Sequence, residues 1–518
     1  MTRISRFSAI RRAGAACMFV ALFLSTEIFS QDLASFETKT TVHQLKNGWT
    51  FVILERDVAP VFSFSTYVDA GSVEEVPGIT GLAHMFEHMA FKGTPNIGTK
   101  DYAAEKKALD EVEAAYQAYQ KERLSQKPDP KRLEQLFAVF QEKQEEAARF
   151  VVTNEFGDII EREGGAGLNA GTGADSTVYY YSLPANKFEL FAYLESERFL
   201  HPVFREFYKE REVVQEERRM RTESDPIGRL IEVFIGSAFL AHPYHHPTIG
   251  YMSDLQSITR TDAEKFFQTY YIPSNMVTAI VGSVRAREII PVLEKYFGRI
   301  PSREKPPGLR TVEPPQTAER IVILRDQAQP LYIEGYHKPS VKHPDEVVYD
   351  AIDDVLSGGR TSRLYRSLVR DKKIAVATAS FSAFPGIKYP NLWAVYAFPA
   401  RGSTNEQVRD AIRAEIERLT KEEVTDEELA RFKTRARANL IRSLDDNQGL
   451  ANQLSTYQAV FGDWRELFRY LDKIDKVTKA DIRRVATETL KESNRTVGMI
   501  VTQTPGQPAA TPSAETGQ

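Results

Sequence analysis

Two histidines four residues apart, His84 and His88, enclose a glutamate in the segment His84-Met85-Phe86-Glu87-His88. On a helix, positions i and i+4 lie one turn apart on one face, so both imidazoles can be offered to a single metal ion. Glu87 projects to the same side, within reach of a water activated at that ion. Zinc suits such a set: it accepts imidazole nitrogen and carboxylate oxygen, and with an open position it acidifies water for hydrolysis. The expected roles are His84 and His88 as zinc ligands and Glu87 as general base.

The one cysteine, Cys17, sits in an N-terminal apolar run. The chain beyond it has no disulfide, thiolate zinc site or cysteine nucleophile, and a third ligand must be His, Asp or Glu. The run Glu210-Arg211-Glu212-Val213-Val214-Gln215-Glu216-Glu217 is the place to look. Glu210 and Glu217 are two helical turns apart and share a face, with Val213 and Val214 between them able to pack inward. One of the two carboxylates can ligate zinc while the other orients a ligand.

These residues need elements to position them. Trp49–Leu54 is β-rich and follows a turn at Asn47-Gly48. Phe62, Phe64 and Thr66 alternate with Ser63, Ser65 and Tyr67, the pattern of a half-buried strand. Gly78 and Gly81 bracket the start of a helix that carries the histidine motif. Residues 102–150 lack glycine and are rich in Ala, Glu, Lys and Gln, with one break at Lys127-Pro128-Asp129-Pro130. This predicts a helical hairpin, inserted as a solvated spacer or, as the alternative, as a docking arm for a partner. Gly358-Gly359 is not a phosphate loop, because no Gly-Lys-Ser/Thr follows it.

An internal repeat organises the rest. Ile258-Thr259-Arg260-Thr261-Asp262 recurs as Val477-Thr478-Lys479-Ala480-Asp481, an offset of 219 residues. At that offset Asn275 meets Asn494, and Ala279-Ile280-Val281 meets Gly498-Met499-Ile500. In both copies a Thr caps a helix that ends near an Asn, and an apolar strand follows, which points to duplication. The proline-rich stretch 301–318 separates the copies as a linker. The expected domains are therefore 36–300, bearing the metal site, and 319–504, with a disordered tail at 505–518.

The 518 residues suit two domains, and 42% apolar with 27% charged residues is an ordinary globular balance. A net charge of −4 without a basic stripe gives no argument for nucleic acid. Arg3, Arg6, Arg11 and Arg12 precede the apolar run Ala13–Leu24, which is short for a membrane span and reads as a signal peptide over residues 1–30. The expectation is an exported chain, periplasmic or secreted, with no membrane span once mature.

His-x-x-Glu-His is the inverted zinc motif of the inverzincins. With its flanks, Gly78-Ile79-Thr80-Gly81-Leu82-Ala83 before it and Phe91-Lys92-Gly93-Thr94 after it, the motif resembles the pitrilysin (M16) family of metallopeptidases, on its processing-peptidase-like bacterial side. The resemblance covers nearly all of the chain beyond the signal peptide. It implies an α+β fold of two homologous α/β domains, each a mainly antiparallel sheet with helices packed on one side. It implies Glu217 as the third ligand of one zinc ion per chain, with Glu210 behind a ligand. Asn169-Ala170-Gly171-Thr172 resembles the family's edge strand, which pairs with substrate backbone and makes Asn169 and Ala170 substrate-binding residues. Arg370 matches one member of a substrate-binding Arg–Tyr pair, but the position seven later is Ala377. That departure implies a heterodimer with a related subunit lacking zinc, or, as second choice, a homodimer. The function so implied is zinc-dependent endopeptidase acting on peptides or small unfolded polypeptides; the rival is a non-catalytic scaffold or binding subunit.

Overall fold

The computed structural model describes residues 33–503, so the expected signal peptide and C-terminal tail lie outside the described residues. Strands β1 (Thr40–Gln44), β2 (Thr50–Glu55), β3 (Val61–Val68), β4 (Ala166–Thr172), β5 (Thr177–Pro184) and β6 (Met276–Gly282) form one sheet in the order β1-β2-β6-β3-β5-β4. Only β2 and β6 run parallel; the other neighbours are antiparallel. Strands β7 (Arg320–Asp326), β8 (Leu331–Lys338), β9 (Ala375–Phe384), β10 (Asn391–Pro399) and β11 (Arg495–Thr502) form a second sheet in the order β7-β11-β8-β10-β9. Its one parallel pair is β7 with β11. The second sheet thus repeats β2-β6-β3-β5-β4 strand for strand and sense for sense.

The repeat extends to single hydrogen bonds. Thr259 and Thr478 each accept from the backbone N–H three residues on, in reciprocal capping boxes. Asn275 Nδ2 donates to Tyr270 O at 3.0 Å, and Asn494 Nδ2 donates to Thr489 O at 2.9 Å. Both asparagines tie the end of their helix to the strand that follows. Between the halves, residues 301–317 carry no helix or strand.

Each half packs its own helices on one face of its sheet, around two separate cores. The other face is covered too, and here the arrangement goes beyond helices on one side. Helix Asn447–Phe461 of the second half lays Leu450, Ala451 and Leu454 on Val52, Ala279 and Val281 of the first sheet. Reciprocally, helix Pro226–Ala238 of the first half lays Leu230 and Phe234 on Ile333, Leu392 and Ile500 of the second. Asp225 caps one of these helices and Asp446 the other. The exchange also corrects the reading of β3 as half-buried: Ser63, Ser65 and Tyr67 are all buried. The small serines face the visiting helix, whose Ser455 hydroxyl donates to Ser65 Oγ at 3.1 Å.

The hairpin is present as helices Tyr102–Arg123 and Pro130–Ala148, started by Asp101 and Asp129 caps. It is not a solvated spacer. Tyr116 packs tilted and Phe140 edge-on against Tyr208, with ring centroids 4.2 and 5.1 Å away, and Tyr208 Oη donates to Glu113 at 2.7 Å. Glu105 is fully buried in a salt bridge with Arg205. An unpaired buried charge is costly, so these partners fix the hairpin against helix Phe207–Arg218, which carries the two glutamates of interest. Among the described residues, no helix is long and apolar enough to cross a membrane.

Candidate metal centre

The motif helix runs Leu82–Met89. Its start needs glycine: Gly81 has φ +89°, and a Cβ there would lie 2.6 Å from Ile249 O. The buried carboxylate of Glu75 receives the Gly81 and Ala83 N–H groups at 2.8 and 2.7 Å, satisfying donors that a helix start leaves open. Leu82, Met85, Phe86 and Met89 face the core, where Phe86 packs on Tyr271 with centroids 4.1 Å apart. The 3.6-residue period then turns His84, Glu87 and His88 outward, half-buried, toward helix Phe207–Arg218 and β4.

Glu217 Oε2 lies 3.7 Å from His84 Nε2 and 3.6 Å from His88 Nε2. The three ligand atoms fall within 4.8 Å of one another, the one such group of His, Cys, Asp or Glu among the described residues. A tetrahedral zinc with bonds of about 2.1 Å sets its ligands about 3.4 Å apart, so the donor set fits the ion in type and spacing. Burial, then the neighbouring His88, lowers His84 to about 4, which leaves its imidazole neutral as a ligand must be. Arg221, on the π-helical turn Arg219–Glu223, holds the outer oxygen Glu217 Oε1 at 2.7 Å.

Glu210, two turns before Glu217, places Oε2 3.4 Å from His88 Nδ1. Burial alone would raise it; the hydrogen bonds from His88 and Lys92 overcome that and hold it at about 2. The two glutamates face different atoms: Glu217 reaches both Nε2 atoms, and Glu210 reaches the far side of one ring. Glu87 Oε2 accepts from the Thr172 hydroxyl at 2.6 Å.

His84, Glu87 and His88 share an open cleft of about 930 Å³ with Asn169, Ala170 and Thr172 of β4. This strand is the sheet's outer edge, paired only with β5, and Asn169 Oδ1 turns back to accept from Ala170 N at 2.9 Å. Arg370 is not among the residues lining this cleft. It is half-exposed at the end of the turn Tyr365–Asp371 and its guanidinium binds Asp371 at 2.6 and 3.0 Å. Sequence reasoning gives no individual role to Thr172, Lys92, Arg221 or Glu75. The spacing of Thr172, beside the expected edge strand, was the one available signal among them.

The second half holds a counterpart that, among the described residues, does not bring three ligand atoms together. Helix Glu346–Ser357 follows β8 as the motif helix follows β3, and its Asp350, Asp353 and Asp354 repeat the spacing of His84, Glu87 and His88. Asp353 accepts from Ser380 on β9, as Glu87 accepts from Thr172 on β4. At the 219-residue offset, however, Glu217 meets Ala436, and the adjacent Arg435 binds Asp354 at 2.9 Å.

The chain is similar to known proteins in sequence and fold. Residues 51–148 match the model of the insulinase family, peptidase family M16, and residues 257–436 match the M16 inactive domain. Zinc protease PqqE of Helicobacter pylori is 29% identical over 466 residues, spanning 87% of this chain and 90% of that protein. The crystal structure of a protease from Helicobacter pylori superposes with TM-score 0.75 at 27% identity, covering 89% of this chain and 99% of the other. The M16 inactive-domain protein from Pseudomonas fluorescens shares the fold at TM-score 0.70 and 15% identity, covering 90% of this chain and all (100%) of the other.

Proposed function

The chain belongs to peptidase family M16, and on that premise we propose that it is a zinc-dependent endopeptidase in which His84, His88 and Glu217 hold the ion and Glu87 is the general base. The observation that carries this reading is the meeting of the three ligand atoms beside Glu87, from two helices far apart in sequence. Zinc in this site would supply the positive charge that polarises a scissile carbonyl and acidifies water. Glu87 takes the proton from the attacking water and passes it to the departing amide nitrogen, so that the peptide bond breaks to a carboxylate and an amine. The Thr172 hydroxyl occupies Oε2 and leaves Oε1 to receive that proton. Glu210 keeps His88 oriented through its other ring nitrogen.

Substrate lies extended along β4, its backbone pairing with the free edge at Asn169 and Ala170. Arg370, half-exposed and turned to Asp371, adds nothing to this cleft within the single chain. The cleft is therefore completed by a related zinc-less subunit in a heterodimer, or by a second copy in a homodimer. The rival, a non-catalytic scaffold, draws on the absence of Tyr at position 377 and on the inactive domains named among the relatives. The intact donor set and base favour the enzyme. An exported location, periplasmic or secreted, follows the reading of residues 1–30, and Escherichia coli PqqL, a fold relative at TM-score 0.67, 17% identity and 48% coverage of its own chain, is described as a periplasmic protease. Cleavage of a quenched fluorescent peptide, with the purified chain alone and with any co-purifying partner, tests the proposal. Activity abolished by Glu87→Gln supports it; retained zinc with no cleavage beside any partner favours the scaffold.

A further inference from the structure

Lys92 lies four residues past His88, on the loop that leaves the motif helix. Its ammonium is 3.1 Å from Glu206 Oε2 and in contact with Glu210 Oε1. Glu210 therefore has one oxygen on Lys92 and the other facing His88 Nδ1. Glu206 opens the glutamate helix with φ +55°, uncommon for a residue with a side chain, and its second oxygen accepts from Lys209 at 2.9 Å. The backbone is gripped as well: Arg205, buried in its salt bridge with Glu105, donates to the Lys92 carbonyl and to Thr94 O. Lys92 thus joins the end of one ligand-bearing helix to the start of the other through side chain and main chain together.

We propose that Lys92 is a positioning residue for the metal centre, clamping Glu206 and Glu210 so that Glu210 aims His88 and Glu217, two turns on, arrives in register with both imidazoles. The physical reason is rotational freedom. A carboxylate held at one oxygen alone turns about its bond to the chain; held at both, it is fixed. Without the ammonium, Glu206 and Glu210 face each other as like charges at the start of their own helix, and the ion pairs that tie that helix to the end of the motif helix are gone. The inference rests on the zinc reading above and deepens it.

The test is zinc affinity of the apo protein, measured by competition with a chelator, for wild type, Lys92→Met, Lys92→Arg, Glu210→Gln and the Lys92→Met/Glu210→Gln double variant. Lys92→Met is expected to weaken zinc binding by about 10–100-fold, the usual loss when the support of a ligand is removed. Lys92→Arg, which keeps the charge, recovers most of it. In the Glu210→Gln background Lys92→Met has much less left to remove, because the two act through one contact. Lys92→Gln replaces the Met variant if that apo protein does not give a wild-type circular dichroism spectrum. A Lys92→Met protein that binds zinc as tightly as wild type overturns the clamp, as does an undiminished loss in the Glu210→Gln background. Wild type that takes up no zinc overturns the metal reading itself.

Discussion

The Thr172 hydroxyl donates to Glu87 Oε2 at 2.6 Å, joining the edge strand β4 to the motif helix. It holds one oxygen of the proposed base, a residue that lines the cleft. In the proposed mechanism the same strand pairs with the peptide, so the bond would relate where a substrate lies to where the proton is taken.

Thr172→Val keeps the shape and removes the donor. Hydrogen bonds to charged groups contribute about 1.5–3 kcal/mol, so kcat falls by about tenfold or more while zinc content stays at the wild-type level. Steady-state kinetics beside metal analysis checks this. Unchanged kcat would show that Glu87 needs no such support.

Phe234 of the exchanged helix Pro226–Ala238 sits in a groove made by two glycines: a Cβ at Gly335 or Gly498 would lie 3.0 or 3.1 Å from its ring. Phe234→Ala leaves a cavity at this contact between the halves and destabilises the chain by about 3–5 kcal/mol. Denaturant titration of both proteins measures it. A loss within experimental error would mean that the second sheet does not depend on the visiting helix.

Glu74 gives a pH dependence. Burial raises it, the Gly71 N–H and Lys388 pull it down, and the balance holds it at about 8, well above the ordinary 4.5 of a glutamate. The folded state then keeps a proton that the unfolded state has lost. The stability due to this group is present below about pH 4.5 and declines as pH rises toward 8, by at most about 1.4 kcal/mol per pH unit. Glu74→Gln lacks that decline, so the melting temperature of wild type relative to the variant falls between pH 5 and 8. A constant difference across that range contradicts the assignment.

Much of this was legible in advance because it is local. The capped helices after Thr259 and Thr478, and the asparagines that close them, follow from short-range chemistry repeated at one offset. The motif His84-x-x-Glu87-His88 shows its common face by helical period alone. Choosing between Glu210 and Glu217 is different: both lie on one face of their own helix, and the family resemblance, not the spacing, assigns them. The exchange of helices Pro226–Ala238 and Asn447–Phe461 was not legible, since an apolar helix face does not state which sheet it covers. The alternation in β3 misled for the same reason, its serines being buried under a helix nearly four hundred residues away, as the Ser65–Ser455 separation of 390 shows. The hairpin's composition looked solvated because its few anchoring residues, Glu105, Tyr116 and Phe140, are outnumbered by exposed ones.

The central claim is a single zinc ion held by His84, His88 and Glu217, and metal analysis after exhaustive dialysis tests it most directly. Wild type and Asp353→Asn should each retain about one zinc per chain, because the second half's aspartates lack the third donor and face Arg435, while Glu217→Gln should retain almost none. Zinc absent from wild type, or kept undiminished by Glu217→Gln, would contradict the account.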